Sequence, residues 1–320
     1  MHDQLTHAIG TEASVNPSRN QHTLAVSCEV HGRGYWTGKH VRVAIHPASI
    51  NSGIRFVRTD MEEPNDCEAS ASHREEASLR TNLLNGNVRF QMVEHLMAAL
   101  AALEIDNCVV EIDGEELPAL DGSSHGYVES LSQAGLIIQA AEKKRLVIQE
   151  KVRIERDASW VELSPAHHGE TYFEYRLSFD DHTPIQPQTF GLNLTPDRFI
   201  REVAPARTFV TADQAAAIRS KGLAGHVTNH DLLVIGDEGP IENEYRYQDE
   251  CARHKTLDLI GDLALSGVEF VGRAVSFRGG HSLNGRVAER LLELSNSRSQ
   301  RQKETVDQVP QPVPYLRQVI

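Results

Sequence analysis

The chain has 320 residues with 32 Lys and Arg against 45 Asp and Glu, a formal net charge of -13, and no stretch gathers its bases into an extended patch, which excludes nucleic acid as an expected partner. Hydrophobic residues at 40% and charged residues at 24% make an ordinary globular composition, and the length suits two cores of roughly 150 residues better than one. No apolar run approaches the ~20 residues that span a bilayer, and the first residues have neither a basic start nor an apolar core, so a soluble, unexported chain is expected.

Residues 1–20 are polar and aperiodic and are expected to be disordered. "TLAVSCEV" reads as a strand, "GRGYWTG" as a turn, and "HVRVAIHPA" as a half-buried strand, because Val41, Val43 and Ile45 alternate. "GIRFVRT" is a further strand. "MVEHLMAALAALEI" is helical by its Leu, Ala and Met, and "DNCVVEIDG" is a strand. "SSHGYVESLSQAGL" is a second helix, with Ser123 or Ser124 as N-cap and Gly135 as stop. The charged joint "AAEKKR" places a domain boundary near Lys143, giving domains over 21–143 and 144–295.

A second series of strands follows in "RLVIQEKVRIE", "SWVELSP" and "YFEYRLSFD", the last alternating through Phe173, Tyr175, Leu177 and Phe179. Next come a Pro-punctuated loop, "APARTFVT", a helix in "DQAAAIRSKG", a buried strand in "DLLVIGD", a helix around "RHKTLDLIGDL", the strand "GVEFVGRAVSF", and a last helix after "GGHSLNG". The tail over 296–320 is polar and expected to be disordered. Strands first and helices after, in both halves, predict an α+β fold rather than a doubly wound one. No repeat shows at the level of residue identity.

Cys28, Cys67, Cys108 and Cys251 are scattered and form no CxxC pair, which reads as reduced thiols in a cytosol. A metal site would therefore rest on His, Asp and Glu. His254, Asp258 and Asp262 lie four residues apart, on one face of their helix. The plain reading is a solvated polar stripe. Leu257, Ile260 and Leu263 need burial on the same helix, which points the stripe into a cleft instead. His254 and Asp258, one turn apart, can reach one ion. His95 is the best third ligand, because Glu94 before it offers a carboxylate to activate water. An isolated Glu-His pair is otherwise ordinary surface chemistry. Two His and a carboxylate suit catalytic zinc and equally non-haem iron (Fe2+), and spacing does not choose between them.

His281, after a glycine pair, reads either as a side chain presented at an element's end or as a helix-start histidine bonded to local backbone. Thr208 reads as a strand or cap residue, and "ELPALDGSS" as a turn with a cap. "HGRGYWTG" lacks the spacing and context of a nucleotide-binding glycine motif.

Together, and in this order, "MVEHLMAAL", "ELPALDGSS", "ARTF", "RHKTLDLIGDL" and "GGHSLNG" resemble the motifs of the UDP-3-O-acyl-N-acetylglucosamine deacetylases, across about residues 22–295. That family performs the committed step of lipid A synthesis, in the cytoplasm. The resemblance implies two α+β domains of similar topology, each a sheet with paired helices, and an active site between them. It implies zinc ligands at His95, His254 and Asp258, a general base at Glu94, and a catalytic histidine at His281 oriented by Asp262. Thr208 would help hold the oxyanion, Phe209 would lie beside the sugar, and Lys255 would touch substrate. A βαβ insert at about 209–236 would form an apolar passage for the acyl chain. The acylated UDP-sugar is the expected partner, and a monomer the expected state. One departure stands out: Trp36 in "GYWTG" occupies the place of a family histidine. It keeps open a zinc amidase acting on a different N-acetylated nucleotide sugar, and a non-catalytic sensor of the acylated UDP-sugar.

Overall fold

The structure is a computed structural model describing residues 19–63, 65–166, 169–179 and 183–307, with side chains described as far as Ser297. In chain order the first half contains β1 (Asn20–Leu24), β2 (Cys28–Arg33), β3 (His40–Pro47), β4 (Ile54–Arg58), β5 (Asp66–Glu68), β6 (Arg74–Glu75), β7 (Asn82–Asn85), β8 (Val88–Gln91), α1 (Glu94–Ala102), β9 (Cys108–Ile112), α2 (His125–Ala134) and β10 (Leu136–Glu142). The second half contains β11 (Arg145–Val147), β12 (Val152–Arg156), β13 (Ser159–Ser164), β14 (Thr171–Leu177), β15 (Gln188–Asn193), α3 (Pro196–Glu202), β16 (Phe209–Thr211), α4 (Ala212–Ser220), β17 (Leu233–Gly236), β18 (Gly239–Pro240), α5 (Glu250–Ala264), β19 (Glu269–Phe277) and α6 (His281–Asp307). The class is α+β, as the strand and helix patterns predict.

Two sheets dominate, and they share one strand order. The first runs β2-β3-β9-β4-β5 and the second β12-β13-β19-β14-β15, with β11 also on β19. In each, two antiparallel hairpins flank a strand that arrives last, antiparallel to one neighbour and parallel to the other. A helix precedes that strand and another follows it: α1 and α2 in the first half, α5 and α6 in the second. Alternation of buried positions sets this order, not residue identity, which is why the repeat is invisible in a direct reading. The insert β16-α4-β17 is a parallel βαβ unit, with Phe209 opposite Leu233.

The helices α1 and α5 pack on each other, while α5 also packs on β14, β15 and α6. Twelve of the fifteen residues of α5 are buried, so its titratable stripe faces protein and the solvated reading fails. Burial of Leu257, Ile260 and Leu263 contributes about 1.5–3 kcal/mol each. The crossing is close because position 261 is glycine: a Cβ there would stand 2.0 Å from the Glu94 carbonyl oxygen. No helix among the described residues is long and apolar enough to cross a membrane.

Four expectations change. "TLAVSCEV" is two strands: the chain bends at Ala25–Ser27, β1 pairs with β10, and β2 pairs with β3. Periodicity reads burial, and it does not see hydrogen bonds handed to a new partner. The Pro-punctuated loop contains β15 and α3, whose Pro196 occupies the first helical turn behind the Thr195 cap, where a missing N–H costs nothing. Phe179 lies past the end of β14 and is 38% exposed, so the alternation stops at Leu177. At the C-terminal end α6 continues to Asp307, into the stretch expected to be disordered, while residues 308–320 and 1–18 lie outside the described residues.

An ionic cluster around the buried Asp106 ties the halves near the Lys143 joint. Arg19 reaches Asp106 at 2.6 Å and Glu269 at 2.8 Å, and Lys143 reaches Asp106 at 2.9 Å. Burial alone would raise the Asp106 carboxyl, but Arg19 and Lys143 outweigh it and hold the group below its ordinary value. The stabilisation is therefore complete above the unfolded value of about 3.9 and is lost as pH falls through the folded one. Asp106→Asn should flatten the dependence of unfolding free energy on pH below about 4, measured by urea titrations along a pH series. An unchanged slope would remove this cluster from the acid response.

Candidate metal centre and active site

The N-terminus of α1 is aimed by strain. Met92 adopts φ 62 although it is not glycine, a conformation that costs energy and collects at functional sites. The turn it makes delivers Glu94 and His95 as the first residues of α1, 1% and 4% exposed. Ser124, the N-cap residue of α2, makes no cap bond and instead donates its hydroxyl to the His95 carbonyl at 2.7 Å.

Across the crossing, α5 supplies His254 and Asp258. His95 Nε2 lies 3.7 Å and His254 Nε2 3.4 Å from Asp258 Oδ1, and one donor atom from each of the three residues falls within 4.8 Å of the others. The His254 Nδ1 faces the Ala206 carbonyl at 3.2 Å, which makes Nδ1 the donor and leaves Nε2 free as a ligand atom. Burial pulls the His254 imidazole down to about 3, so it is neutral at ordinary pH. Asp258 is ionised: burial opposes this, but Lys255, His254 and His281 hold its carboxyl well below the usual range. Its Oδ2 takes the Lys255 ammonium at 2.6 Å. Its Oδ1 is buried and has no hydrogen-bond partner among the described residues. A buried carboxylate oxygen facing two imidazole nitrogens, with nothing donating to it, fits a divalent cation with a nitrogen-rich donor set.

Glu94 stands beside this set. Its Oε2 accepts the Thr81 backbone N–H at 3.1 Å. Burial pushes its carboxyl above the ordinary value, with His281 and His95 opposing and Asp262 and Asp258 assisting. Asp262, one further turn along α5, is engaged by protein side chains at both carboxylate oxygens. Oδ1 accepts the Thr81 hydroxyl, and Oδ2 faces His281 Nδ1 at 3.0 Å and the Asn284 amide at 2.9 Å. Asp258 Oδ1, by contrast, has no such partner among the described residues. His281 begins α6, and its preceding loop is fixed by the Tyr175 hydroxyl on the Gly279 carbonyl. Burial lowers its basicity, but Asp262 and then Asp258 prevail and raise it to about 9, so the imidazolium persists at neutral pH.

The other expected residues stand at the rim. The Thr208 hydroxyl donates to the Gly122 carbonyl at 2.9 Å, so it must swing away before it can donate to a substrate. Phe209 sets its ring edge-on to His254 at 6.1 Å. The Ala206–Thr208 segment is anchored to α5 by Arg207, whose Nε meets Glu250 Oε1 at 2.8 Å with both side chains buried. Trp36 lies under the guanidinium of Arg80.

Sequence reasoning did not find Thr81, Asn284 or Gly261. Asn284 carried a signal, since it lies three residues after His281 on a helix. Thr81 carried none: it is 181 residues from Asp262 and joins Glu94, Asp262 and His281 only through folding.

The sequence profile described as UDP-3-O-acyl N-acetylglycosamine deacetylase matches residues 21–293. A UDP-3-O-acyl-N-acetylglucosamine deacetylase of Brucella ovis is 37% identical over 274 residues, covering 85% of this chain and 95% of the relative. The proteins of that name from Brucella canis and Brucella abortus match at the same 37% identity and coverage. With a profile spanning the described elements from β1 to α6 and relatives matched over nearly their whole length, the chain belongs to the UDP-3-O-acyl N-acetylglycosamine deacetylase family.

Proposed function

We propose that this chain hydrolyses the acetamide of a UDP-3-O-acyl-N-acetylglucosamine to the free amine and acetate, the reaction of lipid A synthesis, with zinc held by His95, His254 and Asp258. The observation that carries the reading is the orphaned Asp258 Oδ1 between two imidazole nitrogens, with the buried Glu94 carboxyl and the His281 imidazolium beside it. Bound there, the ion supplies Lewis acidity toward a carbonyl oxygen and toward a water. Glu94 takes a proton from the attacking water, and its raised basicity suits that work. His281, kept protonated by Asp262, stabilises the oxyanion that develops on the acetamide oxygen and gives a proton to the departing amine nitrogen as the C–N bond breaks. Thr208 adds a second donor once its hydroxyl leaves Gly122. Phe209 offers a face to the sugar, and the βαβ insert offers an apolar wall to the acyl chain.

All three ligands and both proton-transfer groups come from one chain, so a monomer suffices for the site. Four free cysteines fit a reducing cytoplasm. Zinc-loaded protein incubated with UDP-3-O-acyl-N-acetylglucosamine should release one acetate per free amine, followed by enzymatic acetate detection. No acetate from the loaded protein overturns the reading.

A further inference from the structure

Thr81 is buried, 2% exposed, and each of its polar groups is bonded to a part of the site. Its N–H donates to Glu94 Oε2 at 3.1 Å, and its carbonyl accepts the N–H of Val93, the residue before Glu94, at 3.2 Å. Its hydroxyl donates to Asp262 Oδ1, and the same oxygen stands 3.2 Å from His281 Nδ1. A hydroxyl has one proton and two lone pairs, so with its proton on Asp262 the oxygen can only accept from the His281 Nδ1–H. That N–H then has two acceptors, because Asp262 Oδ2 lies 3.0 Å away. The β7-β8 hairpin puts Thr81 in this place. Asn82 is paired with Gln91, and the bond from Val93 to Thr81 carries the pairing past the open end of the hairpin to the start of α1.

We propose that Thr81 is the positioning residue that sets the general base and the general acid of the deacetylation in one frame. The assignment rests on the deacetylase reading. Glu94 is on α1, Asp262 on α5 and His281 on α6, and Thr81 lies on none of these helices yet bonds to a side chain on each. Two backbone bonds fix Thr81 to the start of α1, so its hydroxyl is held at a set distance from the base. A single acceptor would let the imidazole swing about one bond, whereas Asp262 and Thr81 together fix the plane of the ring. The other ring nitrogen is thereby turned toward the metal donors, with Nε2 3.8 Å from Asp258 Oδ2, where a proton must be given to the departing amine. Threonine suits the position because its β-branch restricts χ1 and so aims the hydroxyl. Without that hydroxyl, the buried Asp262 Oδ1 loses a donor and the His281 ring one of its two supports.

Thr81→Val removes the hydroxyl and keeps the shape and both backbone bonds. Its kcat on UDP-3-O-acyl-N-acetylglucosamine should fall about tenfold to a hundredfold, the range of a hydrogen bond to a charged group, with KM and zinc content at the wild-type level. Thr81→Ser keeps the hydroxyl and loses the methyl, and should recover most of kcat, whereas a threonine needed only for packing gives the reverse order. In a His281→Gln background Thr81→Val should cost nothing further, since both substitutions break one unit. If Thr81→Val does not fold, Thr81→Cys carries the same test, because a thiol of similar size is a weak donor. The readout besides activity is NMR of zinc-loaded protein with isotope-labelled histidine. The His281 Nδ1 proton should exchange slowly with water in wild type and Thr81→Ser, and fast in Thr81→Val. Retained kcat in Thr81→Val, losses that multiply in the double variant, or an Nδ1 proton unchanged from wild type overturns the assignment. If wild type releases no acetate at all, the deacetylase reading fails, and the Nδ1 proton still decides whether Thr81 holds His281.

Discussion

Glu94→Gln is expected to lower kcat by about 10²–10⁴-fold, the range of a general base, while metal content stays at the wild-type level. The reasoning is geometric. Glu94 lies outside the donor set of His95, His254 and Asp258, and it accepts a hydrogen bond from the Thr81 N–H, which a Gln carbonyl oxygen also accepts. The substitution thus removes a proton acceptor and leaves the frame in place. Stability should move the other way. Burial penalises the charged Glu94 carboxylate in the folded protein, and a neutral amide of the same shape avoids that penalty. Metal-free Glu94→Gln should therefore melt at a higher temperature than metal-free wild type, a trade of stability for activity. Steady-state kinetics, metal analysis and thermal melts check the three parts. Retained kcat would remove Glu94 from the chemistry, and loss of metal along with activity would make it a ligand.

Gly261→Ala is expected to damage folding and metal binding together. The added Cβ would fall 2.0 Å from the Glu94 carbonyl oxygen and 3.1 Å from the Ala98 nitrogen. These are backbone atoms of α1 and cannot turn aside as a side chain could, so the two helices must separate. Overpacking of this kind costs about 1–3 kcal/mol, occasionally more. Because His95 is on α1 while His254 and Asp258 are on α5, the separation also opens the donor triangle. Metal affinity should fall by at least about tenfold, as for lost supports of a metal site. Chemical denaturation and competition with a chelator measure the two effects. Gly225→Ala is the control, since a Cβ there meets nothing within 4 Å and should change stability by less than about 0.5 kcal/mol. A Gly261→Ala protein with wild-type stability and metal affinity would show that the crossing tolerates another geometry.

The sequence determined the class and the donor types. Alternation through Val41, Val43 and Ile45 and the composition around Glu94–Ala102 are local signals, and local signals survive without knowledge of neighbours. One-turn spacing likewise put His254, Asp258 and Asp262 on one face, because helical geometry alone dictates it. Spacing left open which of the acids binds metal, and the resemblance assigned Asp258 to the metal and Asp262 to His281. Only the tertiary structure decided that Asp262 is engaged by Thr81, His281 and Asn284 while Asp258 Oδ1 has no hydrogen-bond partner among the described residues. It also moved the Pro-punctuated stretch into β15 and α3, and split "TLAVSCEV" between two sheets. The reason is the same in each case. Whether a polar atom is satisfied, and which strand takes a hydrogen bond, depends on groups up to 181 residues away, and no local pattern carries that information.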